Sequence, residues 1–124
     1  CIACCVMDAR CNQVYTALFD ITDGKIERLT EDMAVSIDEM SETLKKYKKN
    51  KIFVGDGTDL CYNKMVGKIE NIKPSFDNNK FQNAVGVCYS AFENRDKLIP
   101  GAELIPEYLR LPQAQRELNK KLKK

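Results

Sequence analysis

The sequence contains no histidine, and that absence removes a good deal of chemistry. A serine or cysteine nucleophile usually hands its proton to an imidazole, and mixed Cys/His metal sites need one as a ligand. No motif sets a lysine or carboxylate beside a serine or cysteine in its stead. No stretch approaches the roughly 18 apolar residues of a membrane-spanning helix, and no signal peptide is visible. Charge of one sign is not in excess either. The 20 Lys and Arg against 18 Asp and Glu leave a net +2, too little to argue nucleic-acid binding from the field of the whole chain. An initiator Met is missing as well: the chain opens at Cys1 inside an apolar run, which reads as a piece of a longer, two-domain protein.

What is present suffices for one domain with a real core, since 124 residues can bury enough surface. Six cysteines raise the question of a zinc or iron–sulfur site in Cys1-Ile2-Ala3-Cys4-Cys5 with Cys11 behind it. Metal thiolates converge from turns, whereas Cys4 and Cys5 on a strand point to opposite faces. No second cysteine pair follows at a suitable distance. The thiols therefore read as buried, reduced core residues of a cytoplasmic protein, Cys88 included, with no metal. Two lysine runs, Lys45 to Lys51 and Lys120 to Lys124, read as solvated helix ends that complement the helix dipole, with nucleic-acid contact as the alternative.

The apolar run Ile2–Met7 predicts a strand covered on both faces. Val14–Ile21, then Asp23-Gly24 and Ile26–Leu29, predict a second strand, a tight hairpin and a return strand. Ser36 and Glu39 form a capping box ahead of Ile37, Met40, Leu44 and Tyr47 at helical spacing. Lys51–Val54 is a short buried strand, Thr58–Ile69 a further helix, and Ile72–Phe76 an extended segment. Phe81, Ala84, Val85, Cys88, Ala91 and Phe92 share one helical face, with Asn78 or Asn79 near the cap. A polar connector, the extended segment Leu104–Arg110 and a final helix with Pro112 in its first turn complete the chain. The order β-β-β-α-β-α-(β)-α predicts a mixed sheet with helices packed on it, the layout of ribonuclease-H-like domains of the actin-like ATPase superfamily.

Candidate site residues are few. Gly55-Asp56-Gly57-Thr58 follows a buried strand and precedes a helix, where backbone amides can hold a phosphate or nucleotide. A strand-to-helix turn also needs glycine for its dihedrals alone, and the full Gly-rich spacing is missing. Asp8-Ala9-Arg10 sets charge directly after a buried strand, which demands solvation or a partner. The pairs Glu31-Asp32 and Asp38-Glu39 read as loop and helix-start charges.

Two segments resemble a known family. Met7–Phe19, with Asp8-Ala9-Arg10 and Val14-Tyr15, is similar to the strand–turn–strand of TsaB (YeaZ-type) proteins. Leu104–Arg110, with Pro106, Tyr108, Leu109 and Arg110, is similar to a segment close to their C-terminus. The Gly55-Asp56-Gly57 turn lies between them in the expected order. The resemblance implies that residues 1–124 are the C-terminal ribonuclease-H-like domain of a two-domain protein whose N-terminal domain is absent. It implies a non-catalytic supporting subunit, without cofactor, in the transfer of a threonylcarbamoyl group to the adenosine next to the anticodon of tRNA. Implied partners are a TsaD-like catalytic subunit and a TsaE-like ATPase, met largely through the N-terminal domain, with a homodimer in the full-length protein and tRNA at most indirectly. Asp8, Arg10, Tyr15, Tyr108 and Arg110 are family-motif residues without an assigned role, and Gly55, Asp56 and Gly57 a vestigial nucleotide turn. The older glycoprotease or M22 peptidase-like label finds no support in the residues. The alternative is half of an actin-like ATPase or sugar kinase binding nucleotide near Gly55–Thr58.

Overall fold

The structure, a computed structural model, describes residues 1–76, 78 and 80–122, and for Gln113, Arg116, Glu117 and Lys120 only the backbone. Asn79 as a cap and Lys123 and Lys124 of the second basic run lie outside the described residues. Among the described residues no helix is long and apolar enough to cross a membrane.

The opening is the expected antiparallel set: β1 (Ile2–Asp8), β2 (Gln13–Thr22) and β3 (Lys25–Arg28). A short strand follows that the sequence does not announce, β4 (Met33–Ser36). β2 is long enough to pair with β3 along its second half and with β4 along its first, and that pairing makes Met33–Ser36 a strand. Ser36 then ends β4 and caps α1 (Ile37–Lys45). Its hydroxyl accepts from the Glu39 N–H, and the Glu39 side chain accepts from the Ser36 N–H, as the capping box requires.

β5 (Lys51–Val54) runs parallel to β1, α2 (Thr58–Met65) follows, and β6 (Ile72–Pro74) adds to the far side of β5. The sheet is thus mixed and six-stranded, ordered β3-β2-β1-β5-β6 with β4 also on β2. α2 stops at Met65, short of the expected Ile69, because the chain turns at Val66 and Gly67 takes a positive φ of 79°. Ile69 still reaches the core.

One face of the sheet carries that core. Ile2, Cys4 and Val6 of β1, Val14 and Leu18 of β2 and Phe53 of β5 meet Ile37, Met40 and Leu44 of α1 and Cys61 and Met65 of α2. The period of two along each strand selects these residues. The opposite face corrects the expectation of a strand covered on both sides: Cys5 is exposed and Met7 is 45% exposed.

The expected second layer does not form from the third helix. α3 (Ala84–Glu93) exists, but Asn83 caps it in place of Asn78, accepting from the Gly86 N–H. None of its residues is buried, and Cys88 is exposed with the rest. Helical spacing of apolar residues marks a face that prefers burial; it does not supply a surface to bury it against. Residues 104–110, expected to be extended, form no strand, and α4 (Gln113–Leu122) begins directly after Pro112.

Candidate functional site

The parallel pairing of β1 with β5 brings their C-terminal ends together, and with them most of the residues singled out in the sequence. The hairpin after β1 turns through Arg10, Cys11 and Asn12, all in the left-handed region at φ 62°, 54° and 60°. The turn is closed by Gln13 donating to the Arg10 carbonyl at 3.1 Å and Ala9 donating to the Gln13 carbonyl at 3.0 Å. Asp8 stabilises it from within, its Oδ1 accepting from the Arg10 N–H at 2.8 Å and its Oδ2 lying 3.4 Å from Arg10 Nη1. The Arg10 side chain is largely solvated, so this ion pair contributes little beyond orientation.

The Gly55–Gly57 turn presses against the same hairpin. Gly55 sits at φ 112°, and a Cβ there would lie 2.1 Å from the Val6 carbonyl oxygen. The turn needs glycine for both reasons. Gly57 donates to the Val6 carbonyl at 3.2 Å, Thr58 to the Gly55 carbonyl at 3.1 Å, and Asp8 to Asp56 Oδ1 at 3.1 Å. Two amides that a phosphate cradle would use are thus engaged within the fold, and the Asp8 and Asp56 carboxylates add negative charge beside them. Arg110 reaches across from the C-terminal segment, its Nη1 donating to the Ala9 carbonyl. Among the described residues its Nε is buried without a partner.

Asp8, Arg10, Gly55, Asp56, Gly57 and Arg110 therefore meet at one end of the sheet, while Tyr15 and Tyr108 lie beside that cluster on the open face. There residues 107–110 cross the sheet and close one side of a groove of about 520 Å³, floored by Cys5, Met7, Tyr15, Ala17 and Phe19. Arg28 stands over the Phe19 ring at 4.8 Å and pairs with Asp32 at 2.8 Å. Tyr108 is 84% exposed, unusual for a ring of its size. The groove floor is what residue-by-residue reading missed. Its signal is the odd-numbered alternation of β1 and β2, hidden because the even positions are apolar too.

Three of the thiols, Cys4, Cys5 and Cys61, are held in the protonated form. Burial, with Cys5 and Cys61 adding to it, pushes Cys4 up to about 12, and burial with the Asp8 charge does the same for Cys61. Cys5 opens to solvent, yet the groove walls withdraw enough water to push its thiol up; Arg28 pulls it down and Asp32 up again. Thiols so held stay protonated near neutral pH, and neutral thiols are poor nucleophiles and ligands. All six cysteines are free, with Cys4 and Cys61 buried and Cys5, Cys11 and Cys88 exposed, which corrects the expectation of core thiols for Cys5, Cys11 and Cys88. Among the described residues no group of three or more Cys, Asp or Glu is placed to hold a metal ion.

No protein-family model matches the chain. It is 30% identical over 111 residues to the tRNA threonylcarbamoyladenosine biosynthesis protein TsaB of Bacillus subtilis (strain 168), an alignment covering 89% of this chain and 48% of that protein. Two solved structures share the fold. One is an uncharacterized protein with similarity to peptidase YeaZ from Pseudomonas aeruginosa (TM-score 0.59, 15% identity, 88% of this chain and 49% of that one). The other is YeaZ from Pseudomonas aeruginosa (TM-score 0.51, 13% identity, 87% and 49%). The mixed α/β architecture is accordingly ribonuclease-H-like, of the actin-like class. The chain spans about half the length of the relatives it matches. Over that half, the chain is similar in sequence to TsaB and in fold to YeaZ.

Proposed function

We propose that this chain is the C-terminal domain of a supporting, non-catalytic subunit in the biosynthesis of threonylcarbamoyladenosine in tRNA, working in the cytoplasm with a TsaD-like catalytic subunit and a TsaE-like ATPase. The Bacillus subtilis relative supports the pathway. One observation carries the supporting role: the motif residues spend their polar groups on one another. Asp8 holds the hairpin, Asp56 holds Asp8, Gly57 holds Val6 and Arg110 holds Ala9. This is a buttress that sets the shape of one sheet end. The uncovered apolar surface also favours a partner-binding role: Phe81, Val85, Val87, Tyr89 and Phe92 are all more than 60% exposed.

The nucleotide-binding alternative has less behind it, because the Gly57 and Thr58 amides are already bonded to carbonyls. The test is rescue. Cells depleted of their own TsaB are given the full-length protein that contains this chain, and threonylcarbamoyladenosine is measured in digested tRNA by mass spectrometry. Modification returns only while the TsaD-like subunit is present. Threonylcarbamoyl transfer by the purified full-length protein alone, or tight stoichiometric ATP–magnesium binding by calorimetry, sinks the reading.

A further inference from the structure

Positive charge is not spread evenly over this molecule. Residues 45–73 hold eight of the chain's 20 Lys and Arg and three of its 18 Asp and Glu, so that stretch carries +5 and the remainder −3. The fold gathers part of this charge around one cavity of about 530 Å³, at the end of the sheet opposite the Asp8–Asp56 cluster. Lys45, Lys48, Lys51 and Lys68 line it with Tyr47 and Asn71, four cations against one carboxylate, that of the exposed Glu70.

The solvated-helix-end reading accounts for Lys45 and Lys46, which close α1, and Lys45 is further occupied by Glu42 at 2.6 Å. It does not account for the other three. Lys48 lies beyond the helix, Lys51 opens β5, and Lys68 comes from the connector between α2 and β6. Lys51 is the most unusual: it is 3% exposed, and its Nζ donates to the carbonyls of Lys49 at 3.2 Å and Glu70 at 3.3 Å. Among the described residues Lys48, Lys51 and Lys68 make no ion pair with a carboxylate. A buried ammonium that has carbonyl dipoles but no carboxylate in contact gains from an anion. Ammonium groups from separate segments around one cavity repel one another until an anion sits among them.

We propose that this cavity receives a backbone phosphate of RNA, with Lys51 as a fixed cation, Lys48 and Lys68 as mobile ones at the rim, and the half-buried Tyr47 ring beside them. Lysines neutralise phosphates as point charges and release condensed counterions, the main source of affinity in such contacts. An aromatic ring within the same patch is the usual companion of a single-stranded backbone. The inference rests on the reading that the protein serves tRNA modification, and it assigns to the lysines a direct contact where indirect contact was expected.

The experiment uses the full-length protein and unmodified tRNA, with binding followed by fluorescence anisotropy between low and moderate salt. The exposed pair Lys48→Gln/Lys68→Gln is compared with Arg95→Gln/Lys97→Gln, which removes the same charge from a segment that does not line the cavity. The first pair is expected to weaken binding by about three- to tenfold and to make the dependence of log Kd on log salt shallower by about 1.5. The second pair is expected to leave both unchanged. Equal effects from the two pairs, or none from either, overturn the site. Rescue of tRNA modification in cells separates the two readings: rescue with equal binding by both pairs removes only the phosphate site, and loss of rescue by the unmutated protein removes the proposed function.

Discussion

Gly55 turns the chain where β5 leaves the sheet, with a positive φ and the Val6 carbonyl 2.1 Å from where a Cβ would stand. Gly55→Ala therefore adds a backbone collision to a backbone conformation that alanine resists. We expect a loss of about 2–4 kcal/mol in urea unfolding, with Gly24→Ala, where φ is positive but nothing lies within 4 Å, costing only about 1 kcal/mol. Similar losses at both positions would refute the close approach. The buried thiols make a prediction in pH. Cys4 and Cys61 are pushed from 9.0 up to about 12 in the folded chain. Above about pH 9 the unfolded thiols lose their protons while the folded ones keep them, so the unfolded state binds fewer protons and stability falls as pH rises. The fall between pH 9 and 12 is expected at about 1 kcal/mol per pH unit for each thiol. Chemical unfolding across that range should show a shallower slope in Cys4→Ala/Cys61→Ala.

At the scale of elements, α1 is the best specified. Its cap, its acidic first turn at Asp38 and Glu39, its basic last turn at Lys45 and its buried stripe Ile37, Met40 and Leu44 all agree, and agreement of local and tertiary preferences is what makes an element certain. Ser36→Ala is expected to cost about 1 kcal/mol, measured by thermal unfolding; no change would mean that the box is ornamental. The Ser36 N–H and hydroxyl hold Glu39 below the usual carboxylate range. The support from Glu39 is accordingly present above its unfolded pKa and lost as pH falls through the lower, folded one. β4 had no such signature, since Met33-Ala34-Val35 is too short to show alternation and becomes a strand only because β2 has pairing capacity left after β3. α3 is the reverse case: a clear periodic helix whose burial its own periodicity could not guarantee.

Across the whole molecule, one face of the sheet is a packed core and the other a partly bridged groove. That asymmetry predicts opposite outcomes for two apolar truncations. Leu44→Ala, fully buried between α1 and the sheet, should cost about 2–5 kcal/mol. Val85→Ser on α3, 78% exposed, should stay within about 0.5 kcal/mol of the parent. A large loss at Val85 would show that α3 is packed within the single chain. The site was legible as residues and illegible as a site. Asp8, Gly55, Asp56 and Arg110 each stood out for local reasons, but Asp8 meets Asp56 across 48 residues and Arg110 meets Ala9 across 101. Contacts of that separation are set by strand pairing, on which local pattern is silent.

By itself the sequence determined the strands with strong apolar runs, the capped helix α1, the lack of imidazole chemistry, and a family resemblance carried by Asp8–Arg10 with Val14-Tyr15 and by Pro106–Arg110. These are local properties, written in neighbours a few residues apart. Only the tertiary structure decided that Cys5 and Met7 face a groove, that α3 stays uncovered, and that lysines from α1, β5 and the connector before β6 surround one cavity. Each of those outcomes depends on which surfaces the parallel β1–β5 pairing brings together, and that pairing is chosen by the free energy of the whole core.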